Sequence, residues 1–185
     1  MTLFILIRHG ETDWNIDGRW QGQIDVPLNE KGIEQAGQIA QSLMRQKIDL
    51  IFSSDLSRAR QTAEAIRNVT RAEITLDPRL REIHQGEWQG MLVTEIQQRY
   101  RQAFIQRKND PYNVAPPGGE TALDVQQRVV AFIDEISKRY PNKTVVVVSH
   151  GFAIAVMIAH FKGIPIDKVW DLVPNNAETV LFETA

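Results

Sequence analysis

Residues 3–15 read LFILIRHGETDWN. Leu3 to Ile7 run without a polar break and then give way at once to Arg8, His9 and Gly10. A continuous apolar run of this length is the pattern of a strand covered on both faces. A strand that ends in a cation and an imidazole carries chemistry to one edge of its sheet. Related transitions occur downstream. DLIFSS (49–54) is a short apolar run leading into LSRARQTAEAIRNV (56–69), a helix pattern with Arg58 near its start. TVVVVSHG (144–151) is the strongest buried-strand signal in the chain and ends in Ser149, His150 and Gly151. With 4 histidines and 11 glycines in 185 residues, chance gives fewer than one His-Gly pair, and the two present both follow apolar strands.

The intervening segments supply helices. NEKGIEQAGQIAQSLMRQ (29–46) takes Asn29 as N-cap and an apolar stripe of Ile33, Ala36, Ala40, Leu43 and Met44. EITLD (73–77) reads as a third strand. Residues 92–108 read as a polar helix with a sparse apolar side of Leu92, Ile96, Tyr100 and Phe104, and NDPYNVAPPGGE (109–120) as a loop. Thr121 and Asp124 form a capping box ahead of a stripe of Val125, Val129, Phe132, Ile133 and Ile136. FAIAVMIA (152–159) is apolar all round, hence a buried helix, and TVLFET (179–184) closes as a strand. Alternating strands and helices give an α/β fold with a largely parallel sheet in a single domain, 1–185. Its carboxyl edge, where such sheets bind ligands, gathers the three strand ends.

Composition narrows the function. A chain 43% hydrophobic and 24% charged folds as a globular protein. The net charge of −2 argues against a nucleic-acid partner, yet leaves room for a locally positive pocket. The absence of cysteine removes disulfides, thiolate catalysis and cysteine-held zinc. The start, MTLFILIRHG, shows no basic leader, and no apolar run approaches the roughly 18 residues of a membrane span. The expectation is a cytoplasmic protein without a membrane partner, with a homodimer left open.

Two histidines and several arginines suit the handling of a phosphoryl group. Arginine's planar fork matches phosphate oxygens and keeps its charge. A neutral imidazole is a nucleophile, and neighbouring arginines depress its pKa so that one nitrogen stays free near neutral pH. Glycine after each histidine permits close approach and frees amides for the phosphate. HGETD also spaces His9, Glu11 and Asp13 as metal ligands, but that reading leaves the arginines unexplained, so no metal and no cofactor are expected. Arg60, His84 and His160 read as ordinary surface or structural groups, and Glu11, Thr12 and Trp14 as residues that shape the first loop.

LIRHGETDWN (6–15), SSDLSRARQTA (53–63), LREIHQGEWQG (80–90) and VVSHG (147–151) resemble the histidine phosphatase superfamily, also called the phosphoglycerate mutase-like fold, in order and spacing over nearly the whole chain. The resemblance implies a three-layer α/β/α sandwich around a largely parallel sheet. It implies His9 as the nucleophile that becomes a phosphohistidine, with Arg8, Arg58 and His150 clasping the transferred group. Asn15, the Gln21-Gly22 turn and the Gly151 amide would add hydrogen bonds, and Glu82 would be the general acid, with a pKa raised by partial burial. The substrate would be a small phosphate ester.

EIHQGEWQG (82–90) and PPGGET (116–121) resemble the phosphatase branch, and 185 residues leave little room for the insertion that mutases carry. The implied activity is a metal-independent phosphomonoesterase, with a phosphoglycerate mutase as the alternative. A binding module that retains the pocket without turnover is a third reading, opposed by the joint presence of His9, Arg8, Arg58, Glu82 and His150. Residues of about 91–118 are expected to form a lid-like insertion over the active site, with Arg99, Arg101, Arg107 and Lys108 mostly a solvated face.

Overall fold

The computed structural model describes residues 1–184. Five strands form one sheet: β1 (Thr2–Arg8), β2 (Leu50–Ser53), β3 (Ile74–Leu76), β4 (Thr144–Ser149) and β5 (Thr179–Thr184), in the order β3-β2-β4-β1-β5. β1, β2, β3 and β4 are parallel, and β5 runs antiparallel along β1. In the β1–β4 register Arg8 lies opposite Ser149, so His9 and His150 leave the sheet side by side.

Strand alternation divides the core into two layers. Phe4, Leu6, Phe52, Val145 and Val147 face α6 (Ala122–Arg139) and α7 (Gly151–Lys162). Ile5, Ile7, Ile51, Val146 and Val148 face α2 (Glu30–Leu43) and α3 (Ser57–Thr70). The result is the three-layer α/β/α sandwich. The α6 stripe of Val125, Val129, Phe132, Ile133 and Ile136 is fully buried, and Thr121 closes its capping box with Asp124.

The α2 stripe is rotated from the expected one. Ile33 and Met44 are exposed, and Gly32, Ala36, Ile39, Ala40 and Leu43 are buried. The reason lies at its first turn. A Cβ on Gly32 would stand 2.9 Å from the Glu11 amide nitrogen, and one on Gly10 would stand 3.0 Å from the Gly32 Cα. Two bare backbones therefore meet here, which turns Gly32 inward and Ile33 out. The polar segment from residue 92 is also two helices, α4 (Val93–Arg99) and α5 (Arg101–Asn109), broken at Tyr100, whose φ of −123° and ψ of 32° leave the helical region. A short helix α1 (Asp13–Asp17), N-capped by Thr12, follows β1.

Candidate active site

A cavity of about 320 Å³ opens at the carboxyl edge of the sheet. Arg8, His9, Asn15, Gln21, Gly22, Arg58, Glu82 and Gly151 all contribute to its wall, brought from β1, α1 and its following loop, α3, the segment after β3, and the start of α7. His150 does not line it, although its ring stands edge-on to His9 with centroids 5.0 Å apart.

The hydrogen bonds fix both imidazoles. His9 Nδ1 lies 2.7 Å from the Gly10 carbonyl, which can only accept, so the neutral ring carries its proton on Nδ1 and leaves Nε2 with a free lone pair. His150 has the opposite tautomer. Its Nδ1 accepts from Arg58 Nε at 3.2 Å, and its Nε2–H donates to Ser54 Oγ at 2.9 Å. Both ring nitrogens are thus engaged, and His150 stands one layer behind the cavity rather than in its wall.

Burial, before the arginines, holds both rings neutral. The His9 pKa lies well below the ordinary histidine value because the ring is desolvated, with Arg58 and then Arg8 adding to the effect. His150 is depressed in the same way, by burial first and Arg58 second. A base with a lowered pKa in the folded state makes the unfolded chain the better proton acceptor below about pH 6.5. Stability from these two groups is complete above that pH and falls as the pH drops below it. We expect the free energy of unfolding in urea to decline by about 3 kcal/mol between about pH 7.5 and about pH 5.5. A flat profile over that window would show that the rings charge freely in the folded protein.

The arginines are held by backbone carbonyls. Arg58, fully buried at the start of α3, donates from Nη1 to Ile24 O and from Nη2 to Gly22 O, each at 2.8 Å. With Nε on His150, two of its five N–H donors remain for a ligand. Desolvation lowers its pKa to about 10, opposed by Glu82 and Asp25. It stays charged at neutral pH. Arg8 Nη1 donates to Pro174 O at 2.6 Å, while its buried Nε has no partner among the described residues. Gly151 makes room for it: a Cβ there would stand 3.3 Å from both Arg8 Cζ and Nε.

Asn15 is oriented by its neighbours. Its Oδ1 accepts from the Thr12 amide, the Thr12 hydroxyl and Asn176 Nδ2 at 3.0–3.2 Å, which directs the amide NH₂ to the cavity side. The Gly10 amide is not free for a ligand as expected, since it donates to Thr62 Oγ1 at 3.2 Å. The Gly22 carbonyl is likewise spent on Arg58. The Glu82 oxygens accept from the amides of Ile83 (2.9 Å), Phe152 (3.2 Å) and Ala153 (3.2 Å). Two of these are in the first turn of α7, so Glu82 caps that helix.

Several contributors escape a sequence reading. Asn176 donates to the His9 and Gly10 carbonyls as well as to Asn15, across more than 160 residues of chain. Pro174 meets Arg8 over a similar span. Thr62 was within reach, because it lies one helical turn after Arg58 and hydrogen-bonds its carbonyl. Glu11 pairs with Lys31 and Asn29 and shapes the loop, and Arg60 is an exposed partner of Glu64. Residues 91–118 do not line this cavity. Phe104, Arg107, Lys108, Asn109 and Pro111 line a neighbouring one, which shares Trp20 and Trp170 with it.

An imidazole nitrogen with a free lone pair, the buried Arg58 and part-buried Arg8 guanidiniums and the Glu82 carboxyl group share one cavity at the carboxyl edge of an α/β sheet, an arrangement suited to a phosphate ester. The comparisons agree. Residues 4–185 match the family model of the histidine phosphatase superfamily (branch 1). Phosphoserine phosphatase 1 of Hydrogenobacter thermophilus is 40% identical over 177 residues, covering 96% of this chain and 84% of that one. The protein named "Probable phosphoglycerate mutase GpmB" in Escherichia fergusonii is 36% identical over 163 residues, covering 86% and 74%. The solved structure of Bacillus stearothermophilus YhfR superposes with a TM-score of 0.92 at 37% identity, covering 100% of this chain and 92% of that one. The chain belongs to the histidine phosphatase superfamily, branch 1. Its relatives include proteins named as phosphatases of phosphate monoesters, among them a glucosyl-3-phosphoglycerate phosphatase of Mycolicibacterium vanbaalenii, 36% identical over 171 residues. No helix among the described residues is long and apolar enough to cross a membrane.

Proposed function

We propose that the chain hydrolyses small phosphate monoesters in two displacements, with His9 as nucleophile, Glu82 as acid and base, and Arg8, Arg58 and Asn15 as the phosphate clasp. The observation that carries this reading is the His9 tautomer, because the Gly10 carbonyl leaves Nε2 as the only unprotonated nitrogen. In the first displacement Nε2 bonds to phosphorus, the ester P–O bond breaks, and Glu82 gives its proton to the leaving oxygen. In the second, Glu82 takes a proton from water, the water oxygen bonds to phosphorus, and the N–P bond breaks to release inorganic phosphate.

Glu82 needs a proton for the first step, and the incoming phosphoryl dianion promotes this, since a like charge beside a carboxylate favours its protonated form. Arg8 and Arg58 are positioned for the charge on the equatorial oxygens. His150 acts through Arg58: it accepts from Nε and fixes the fork. The Gln21-Gly22 turn and the Gly151 amide complete the wall. Residues of about 91–118 serve as a cover over the neighbouring cavity, where the alcohol part of the ester would lie.

Some mutase activity is the alternative, favoured by the 36% identity to the GpmB protein. Partition of the phosphohistidine decides between acceptors. With 3-phosphoglycerate as substrate, inorganic phosphate is expected to form at least about tenfold faster than 2-phosphoglycerate. A faster yield of the isomer would make water the minor acceptor and overturn the reading.

A further inference from the structure

Arg107 does not belong to a solvated face. Arg99 at the end of α4 and Arg101 and Lys108 on α5 are exposed, but Arg107, also on α5, is 4% exposed. Its guanidinium carbon stands 5.9 Å from the Trp20 ring and 5.7 Å from the Trp88 ring. Nη1 donates to Gln85 Oε1 at 3.2 Å, and Nη2 is buried with no partner among the described residues. Trp88 Nε1 in the same wall is a second buried donor without an acceptor.

A buried cation is ordinarily paired. Here desolvation acts without any carboxylate to offset it, and it lowers the Arg107 pKa to about 10. Asp167 and Lys108, both exposed, are the other charged groups on this cavity. The cavity itself, about 470 Å³, is otherwise walled by Trp20, Trp88, Phe104, Trp170 and Pro111, with Asn109. It adjoins the phosphate cavity at Trp20 and Trp170, and Gln85 links the two, lining the first and holding Arg107 in the second.

We infer that this second cavity receives the alcohol part of the substrate and that Arg107 recognises a carboxylate on it, so the preferred substrates are phosphate esters whose alcohol joins an apolar or aromatic body to a carboxylate. The inference rests on the hydrolytic reading of the first cavity. The tryptophans accept the apolar body, while the planar fork supplies a matched pair of donors to a carboxylate.

The test compares 3- and 4-carboxyphenyl phosphate, each with its carbamoyl analogue, in wild type and in Arg107→Met and Arg107→Lys. The carbamoyl group keeps the size and leaving-group electronics close while removing the charge. For the better-fitting pair, wild type is expected to favour the carboxylate ester by about tenfold in kcat/KM. Arg107→Met should bring that ratio close to one, whatever happens to the absolute rates, and Arg107→Lys should recover part of it. Equal turnover of both esters by wild type would overturn the inference. So would a ratio that survives in Arg107→Met while both rates fall together, which would make Arg107 a support for Trp20, Trp88 and Gln85 alone. If no ester, p-nitrophenyl phosphate included, releases phosphate, the hydrolytic reading fails and this inference falls with it.

Discussion

His9→Ala is expected to lower turnover of any phosphate monoester by roughly five to six orders of magnitude, the scale on which removal of a covalent nucleophile acts. No neighbouring group can substitute for it. His150 is the nearest imidazole, but its Nδ1 lone pair is held by Arg58 and its Nε2 carries the proton given to Ser54. The arginines remain charged and cannot attack phosphorus. Two measurements check the result. Phosphate release from p-nitrophenyl phosphate in EDTA should vanish in the variant, and acid-labile phosphoryl label trapped on the wild-type chain should be absent from it. His150→Ala separates the two histidines. It should slow the reaction by loosening Arg58, yet the trapped phosphoryl group should still map to His9. Label on His150, or full activity in His9→Ala, would reverse the assignment.

The histidines and arginines of this site were legible because each ends or follows an apolar run, and a parallel sheet sends all such ends to one edge. Which nitrogen of each ring is free was not legible. That depends on the Gly10 carbonyl for His9 and on Arg58 and Ser54 for His150, contacts set by the β1–β4 register and by α3. The same limit explains the α2 stripe. Periodicity counts large apolar residues, whereas the inward position there is Gly32, chosen for what it lacks. Asn176 and Pro174 carry no pattern of their own and acquire their roles because β5 returns antiparallel beside β1. Arg107 shows the converse. Its neighbours make a polar face by spacing, and only the packing of Trp20 and Trp88 reveals that this one cation is inside.

Glu82→Gln is expected to divide the two displacements. The amide cannot give a proton to the leaving oxygen or take one from water, and loss of a positioned acid and base costs about a hundredfold to ten-thousandfold in rate. For an ester with a basic leaving group the first displacement should suffer, and kcat/KM should fall by that amount. For p-nitrophenyl phosphate the leaving group needs little help, so phosphorylation of His9 should survive while its hydrolysis slows. The variant should then show a burst of nitrophenolate equal to one per active site, followed by slow turnover, with phosphohistidine accumulating on the chain. Glu82 also caps α7 through the Phe152 and Ala153 amides, so part of any loss could be structural in origin. The burst separates these. A displaced α7 would carry Gly151 away from Arg8 and depress both displacements alike, leaving no burst and no accumulated intermediate. That outcome would reduce Glu82 to a cap and move the proton chemistry to another group.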